Sequence, residues 1–171
     1  GLGIRQQFSS QVWGTLRWRH DRVYDTGNGD QIRSPNDSDA FLVDNVLEVA
    51  VMRRDRVSKQ LTFQSGYSLE GHIVNPDELS HLSNEIDLAL SYQLSPQWES
   101  KLSYGLTLDS FTAASRTDFQ QQVTGAVIYR PSNQFFIEGQ VAYRVGNSSL
   151  DGIDPDAFRA GIRVGYDLGL F

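Results

Sequence analysis

The feature that most constrains this chain is a side-chain alternation of period two, sustained beyond the length of an ordinary strand and repeated along the sequence. Its clearest instance is the last stretch. Phe158, Ala160, Ile162, Val164, Tyr166, Leu168 and Leu170 fall on one side of an extended ribbon, and Arg159, Gly161, Arg163, Gly165, Asp167 and Gly169 fall on the other. Successive strand residues point to opposite faces at a rise of ~3.3 Å, so one face is apolar and the other polar. Soluble strands usually run ~5–6 residues, whereas a tilted strand crossing a bilayer needs ~9–11. The length of this stretch suits the second case.

The same ruler predicts eight strands, at about 7–19, 41–53, 61–70, 82–93, 98–109, 119–130, 135–145 and 158–170. The connections alternate in length. Long polar stretches at 21–40, 71–80, 110–118 and 146–157 take turns with short ones around 54–56, 94–97 and 131–134. Long loops at one rim and tight turns at the other are what an up-and-down barrel produces. The expectation is one domain over 1–171, all-β, an eight-stranded antiparallel up-and-down transmembrane β-barrel. Both termini would then lie at the short-turn rim, with the strand at 158–170 closing on the strand at 7–19.

Composition removes several alternatives. No run of ~18 apolar residues exists, so no helix of this chain can span a bilayer. A mean hydropathy of -0.39 does not weigh against a barrel, which hides every second residue inside. The chain has no cysteine and therefore neither a disulfide framework nor a thiolate metal site. A net charge of -6 without a Lys/Arg stripe speaks against nucleic acid as a partner. Gly1 to Ile4 does not read as the start of a signal peptide, so a mature chain or a fragment of one is expected.

The two faces differ in kind. The apolar face is nearly free of charge. Trp18, Tyr67, Tyr104 and Tyr143 stand toward its long-loop edge, and Tyr92, Trp98, Tyr129, Phe135 and Tyr166 toward its short-turn edge. Aromatic girdles at both interfaces are what headgroups favour. The other face gathers Arg17, Arg19, Lys101, Arg144, Arg159 and Arg163 with Asp44, Glu48, Glu70, Glu85, Asp87, Glu99, Asp109, Glu138 and Asp167. Buried charges must pair, so these form an expected interior charge network. A soluble lipocalin-type carrier would invert the polarity and line a pocket with the aromatics.

With strands, loops and girdles in place, the whole chain resembles the small eight-stranded outer-membrane barrels of Gram-negative bacteria, the class of the OmpA transmembrane domain and OmpX. The resemblance implies the bacterial outer membrane, with the lipid bilayer, lipopolysaccharide and the barrel-assembly machinery as partners. In that class a terminal aromatic preceded by glycine and alternating hydrophobics serves as the assembly signal. Here Gly165, Leu168, Leu170 and Phe171 occupy those places, although Phe171 lies one residue beyond the apolar series.

Candidate chemistry is sparse. His81-Leu82-Ser83-Asn84 resembles the His-x-Ser-Asn signature of outer-membrane lipid A deacylases, with Glu85 or Asp87 as a possible carboxylate. A serine nucleophile needs a base within hydrogen-bond reach and an oriented third group. The alternation places His81 and Ser83 on the lumen face, away from lipid, so interior polar residues are the favoured reading. Asp151, Asp154 and Asp156 could offer oxygens to Ca²⁺, but without the spacing of a calcium loop they read as an acidic external loop. No cofactor is expected. An eight-stranded interior is filled by side chains, so the expected role is structural, anchoring or mediated by loops 21–40 and 146–157. Lipid hydrolysis through His81 and Ser83, a narrow channel, and a soluble carrier are the alternatives.

Overall fold

The computed structural model describes residues 1–23, 42–75, 77–113, 115–132, 134–149 and 156–166. The long alternating segments form a single antiparallel sheet in which every strand pairs with its neighbours in sequence. Its strands are β1 (Leu2–Gln7), β2 (Val12–Val23), β3 (Leu42–Arg56), β4 (Leu61–Asn75), β5 (His81–Gln93), β6 (Trp98–Phe111), β7 (Thr117–Tyr129), β8 (Phe135–Ser148) and β9 (Ala157–Tyr166). A short 3-10 turn at Asp77–Leu79 lies between β4 and β5. The expected all-β, up-and-down antiparallel architecture is present.

The count differs from expectation at one end. The stretch 7–19 is not one strand: β1 ends at Gln7, the chain turns, and β2 starts at Val12, giving nine strands among the described residues. β1 pairs with β2 from Leu2↔Trp18 to Gln7↔Trp13. The edge of β2 that the strand at 158–170 was expected to cover is therefore taken by β1. Among the described residues β9 pairs with β8 alone. The chain also starts beside Trp18, near the long-loop rim, and not at the short-turn rim.

A local motif explains the missed turn. Each short turn follows the pattern Ser-x-Gln-apolar, at Ser9 to Val12, Ser58 to Leu61, Ser95 to Trp98 and Ser132 to Phe135. In every case the serine Oγ accepts from the two backbone N–H groups that begin the next strand: Gln11 and Val12, Gln60 and Leu61, Gln97 and Trp98, Gln134 and Phe135. Serine thus replaces the ladder partner that the turning backbone lacks. The residue before the serine donates back across the turn, as from Phe8 to Val12, Val57 to Leu61 and Leu94 to Trp98, each at 2.9 Å. The glutamine then ties its turn to the next hairpin. The carbonyls of Gln11, Gln60 and Gln97 accept from Arg54, Gln93 and Arg130 at 2.8, 2.8 and 2.7 Å.

The register sorts the side chains as the alternation predicts. Glu48 lies opposite Arg17 and Glu70, Ser83 opposite Glu70 and Asp109, and Gln122 opposite Gly105 and Arg144, all on the polar face. Leu16, Leu47, Val49, Ile86, Leu88, Leu102, Val127 and Ile162 are exposed on the other. The buried hydrophobics among the described residues, Val46, Ala50, Val74 and Ile128, all sit on the polar face. Among the described residues no second layer covers the apolar face. In water so large an apolar surface would drive association, whereas a barrel in lipid requires it.

Glycines let large residues fit this curved wall. The ring of Phe136 lies across Gly165, where an added Cβ would sit 2.3 Å from Cε1 and 2.4 Å from Cζ. At Gly105 the nearest atom to such a Cβ is Asp87 Oδ1 at 3.5 Å, an ordinary contact. Gly165→Ala should therefore destabilise the folded protein by about 1–3 kcal/mol through overpacking, and Gly105→Ala should change it by less than about 0.5 kcal/mol. The midpoint of urea unfolding in lipid vesicles, followed by tryptophan fluorescence, checks both.

Candidate functional site

The face that carries chemistry is the polar one. Side chains of Glu85 and Asp87 on β5 and Arg144 on β8 line one recess of about 210 Å³, together with Thr107, Gln120 and Gln122. The buried side chains among the described residues, Val46, Ala50, Val74, Asp118 and Ile128, lie on this face too, whereas large residues of the apolar face stay exposed, so the sheet curves toward its polar side. The charged face is thus concave and the apolar face convex, the polarity expected of a membrane barrel and opposite to a lipocalin.

Several members of the expected interior network do pair. Arg17 Nη1 meets Glu48 Oε2 at 3.1 Å, and Arg163 Nη2 donates to Glu138 Oε2 at 2.5 Å. Glu99 Oε2 accepts from Arg130 Nη1 at 2.7 Å, a partner the network did not include. Arg19 turns to Asp21 at 2.5 Å rather than across the sheet. Lys101 stands opposite Ser91 and Ala126 and has no ion-pair partner among the described residues. Arg159 has no ion-pair partner among the described residues, and the buried Nε of Arg144 has no hydrogen-bond partner. Asp109 stands opposite Ser83 and Asp118. Asp167, like Leu168, Leu170 and Phe171 of the assembly signal, lies outside the described residues; Gly165 is the glycine beneath Phe136.

Toward the long-loop rim, the polar face holds a cluster that the sequence reading divided among unrelated roles. His72 Nδ1 is 3.0 Å from Asp44 Oδ2, and its Nε2 is 3.3 Å from Glu70 Oε2. The ring of His81 stacks on His72, with centroids 4.2 Å apart and planes 11° from parallel, and tilts against Phe111 at 5.1 Å. Arg116 lies over the other side of Phe111 at 4.4 Å and pairs with Asp118, which also accepts from Ser148 Oγ at 2.6 Å. The bond to Asp118 raises the pKa of Arg116 further above its ordinary value, so the guanidinium stays charged. The signal in the sequence was the register: His72 and His81 are directly opposed across β4 and β5.

This packing uses His81 otherwise than a hydrolase would. Its Nδ1 bonds to the carbonyl of Leu79 at 2.8 Å, and its ring is held between His72 and Phe111. Ser83 makes no hydrogen bond to His81 among the described residues; it shares the concave face with Glu85, away from the apolar surface. Of the acidic loop, Asp151 and Asp154 lie outside the described residues. Asp156 accepts from the backbone N–H of Gly146 at 3.1 Å, which fastens the start of β9 to the end of β8. Residues 24–40 and 150–155 of the two proposed contact loops also lie outside them.

The convex face shows how a girdle is built. Tyr67 donates to Asn84 at 2.8 Å and Tyr104 to Gln121 at 2.9 Å, across adjacent strands. At the short-turn rim, Tyr92 and Tyr166 donate to the side chains of the turn glutamines Gln60 and Gln134 at 3.2 and 2.9 Å. Trp98 and Tyr129 pack with ring centroids 4.6 Å apart. Tyr67, Tyr92, Tyr104 and Tyr166 thus keep their polar ends satisfied while their rings lie on apolar surface.

No protein-family model matches the chain, and no curated protein does. Two solved structures are similar. In-vitro folded OmpT, an outer membrane protein of Vibrio cholerae, aligns with a TM-score of 0.63 at 14% identity, over 96% of this chain and 53% of that one. A loop L8 deletion mutant of OmpT aligns with a TM-score of 0.61 at 14% identity, over 96% and 52%. The chain thus spans about half the length of these outer membrane proteins. At such identity the likeness concerns the fold: this is an antiparallel wall of the outer-membrane β-barrel kind.

The rim cluster and the mid-wall pairs should differ in strength. The two carboxylate side chains are similarly buried, at 10% and 12% exposed, but Asp118 has two partners, of which Arg116 is 23% exposed, whereas Glu138 has one ion-pair partner, Arg163, which is 66% exposed. Asp118→Ala should cost about 1–3 kcal/mol by leaving partners unmatched, and Glu138→Ala about 1 kcal/mol or less. Urea midpoints of the two variants in the same vesicles give the comparison.

Proposed function

We propose that this chain forms part of the wall of a bacterial outer-membrane β-barrel enclosing an aqueous, charge-lined lumen through which small hydrophilic solutes pass. The observation that carries this reading is the opposition of the two faces. Among the described residues no protein layer covers the convex apolar surface, and the concave face holds an ionic lining that side chains do not fill. Arg17 and Arg163 remain half or more exposed on the concave face despite their ion pairs, and the recess between β5 and β8 is lined by hydrogen-bonding groups. Water in such a lumen meets the solvation demand of these charges. The similarity to longer outer membrane proteins supports a barrel wider than eight strands, which leaves room for that water.

Structural anchoring and loop-mediated contact are compatible with the same wall, with the long-loop rim facing outward. Lipid hydrolysis fits less well, because Ser83 and His81 are not hydrogen-bonded and sit on the lumen side.

The absence of native cysteine makes a direct test possible. Single substitutions Ser68→Cys and Ser103→Cys on the concave face, and Leu88→Cys and Leu102→Cys on the convex face, are treated in outer-membrane fractions with a small charged methanethiosulfonate reagent. The two concave positions should react, and the two convex positions should react at least about tenfold more slowly, because only a hydrated thiol reaches its reactive thiolate form. Equal protection of all four would remove the aqueous lumen. Preferential labelling of the convex positions, or recovery of the protein in the soluble fraction, would remove the membrane barrel.

A further inference from the structure

The strand count sets a condition on how this wall is completed. All eight pairings in the sheet are antiparallel and sequential, so strands alternate in direction and β1 and β9 run the same way. Pairing them directly would make one parallel seam in an otherwise antiparallel barrel, an arrangement that single-chain bacterial barrels avoid by having an even number of strands. Among the described residues each edge strand has a neighbour on one side only. The apolar band also continues to both edges: Leu2 and Ile4 on β1 are 75% and 69% exposed, and Ile162 on β9 is 81% exposed. Both edges therefore lie in the hydrocarbon layer, where backbone N–H and C=O groups without partners are strongly disfavoured.

A second copy cannot supply the missing partner. Copies inserted with the same orientation are related by rotation about the membrane normal, which preserves strand direction. They offer only β1 and β9 edges, again parallel. Inverting one copy would place long-loop rims on opposite sides of the membrane.

Resting on the membrane reading above, we infer that an odd number of further strands, from polypeptide outside the described residues, pairs antiparallel with both β1 and β9 to close the barrel. Two features mark the complement chemically. Its strands alternate an apolar outward face with a polar inward one, as the existing band requires. Its inward face carries carboxylates beside the edges, because each edge presents an inward arginine without an ion-pair partner among the described residues: Arg5, which lies only over the Trp13 ring at 4.9 Å, and Arg159. The Ser-x-Gln-apolar turn fits the scheme. It begins β2, β4, β6 and β8, so β1 is the returning strand of a unit whose outgoing strand belongs to the complement.

The test is photo-crosslinking in the outer membrane of the bacterium that makes the protein, with p-benzoyl-phenylalanine placed singly at Ala160, Ile162 and Val164 of β9. Adducts are mapped by mass spectrometry. The expected adducts lie in a segment outside the described residues with alternating apolar residues, and their order is reversed, so that the Val164 adduct precedes the Ala160 adduct in sequence. Adducts on Leu2–Gln7 would overturn the inference; mixing isotopically light and heavy protein then tells closure within one chain from pairing between copies. Adducts in parallel order would overturn it as well. Recovery of the protein outside the membrane fraction would instead sink the membrane reading itself, so the two failures are distinguishable.

Discussion

Everything in this structure depends on the antiparallel hydrogen-bond ladder. A strand in hydrocarbon has no water to satisfy its backbone, so each N–H and C=O must find a partner on a neighbouring strand. That requirement explains why consecutive strands pair without exception, from β1 to β9. It also explains the serine at every short turn, whose Oγ takes up two N–H groups where the ladder begins, and the glutamine carbonyl that links one hairpin to the next. The same demand makes the two edges the least settled part of the sheet.

Once the ladder is set, side chains have only two directions. The outward set meets lipid and needs no polar partners beyond the phenol bridges of the girdles, such as Tyr67 with Asn84 and Tyr166 with Gln134. The inward set must solvate its charges. It does so partly by pairing, as in Arg17 with Glu48, and partly by stacking at the rim, where His72 and His81 lie between Asp44, Glu70 and Phe111. The functional reading follows from what these pairs leave over. Arginines that stay exposed beside their partners, and a recess lined by hydrogen-bonding groups, describe a surface in contact with water.

The candidate catalytic pair shows how far a motif can carry. His81 and Ser83 lie two residues apart in sequence and share a face, as alternation demands. Yet a strand holds such residues side by side without turning them toward each other, and the histidine is already committed to Leu79 and to its two aromatic neighbours. The rim cluster was hidden for the complementary reason. Asp44, Glu70, His72, His81 and Asp118 come from four strands, and only the register brings them together.

The sequence by itself determined the fold class, the alternation of long and short connections, and the face on which each of Leu88, Glu85 and Arg163 lies, because a period of two follows from strand geometry alone. It also contained the fourfold Ser-x-Gln-apolar turn. The occurrence at Ser9 sits within a stretch whose alternation continues across it, so period alone ran the strand at 7–19 through the turn and left Leu2–Gln6 unassigned. What only the tertiary structure decided was the number of strands, the direction of curvature, and the partners of each charge. Those depend on which segments lie side by side, and the energy that selects them is spread over the whole ladder, not written in any one segment.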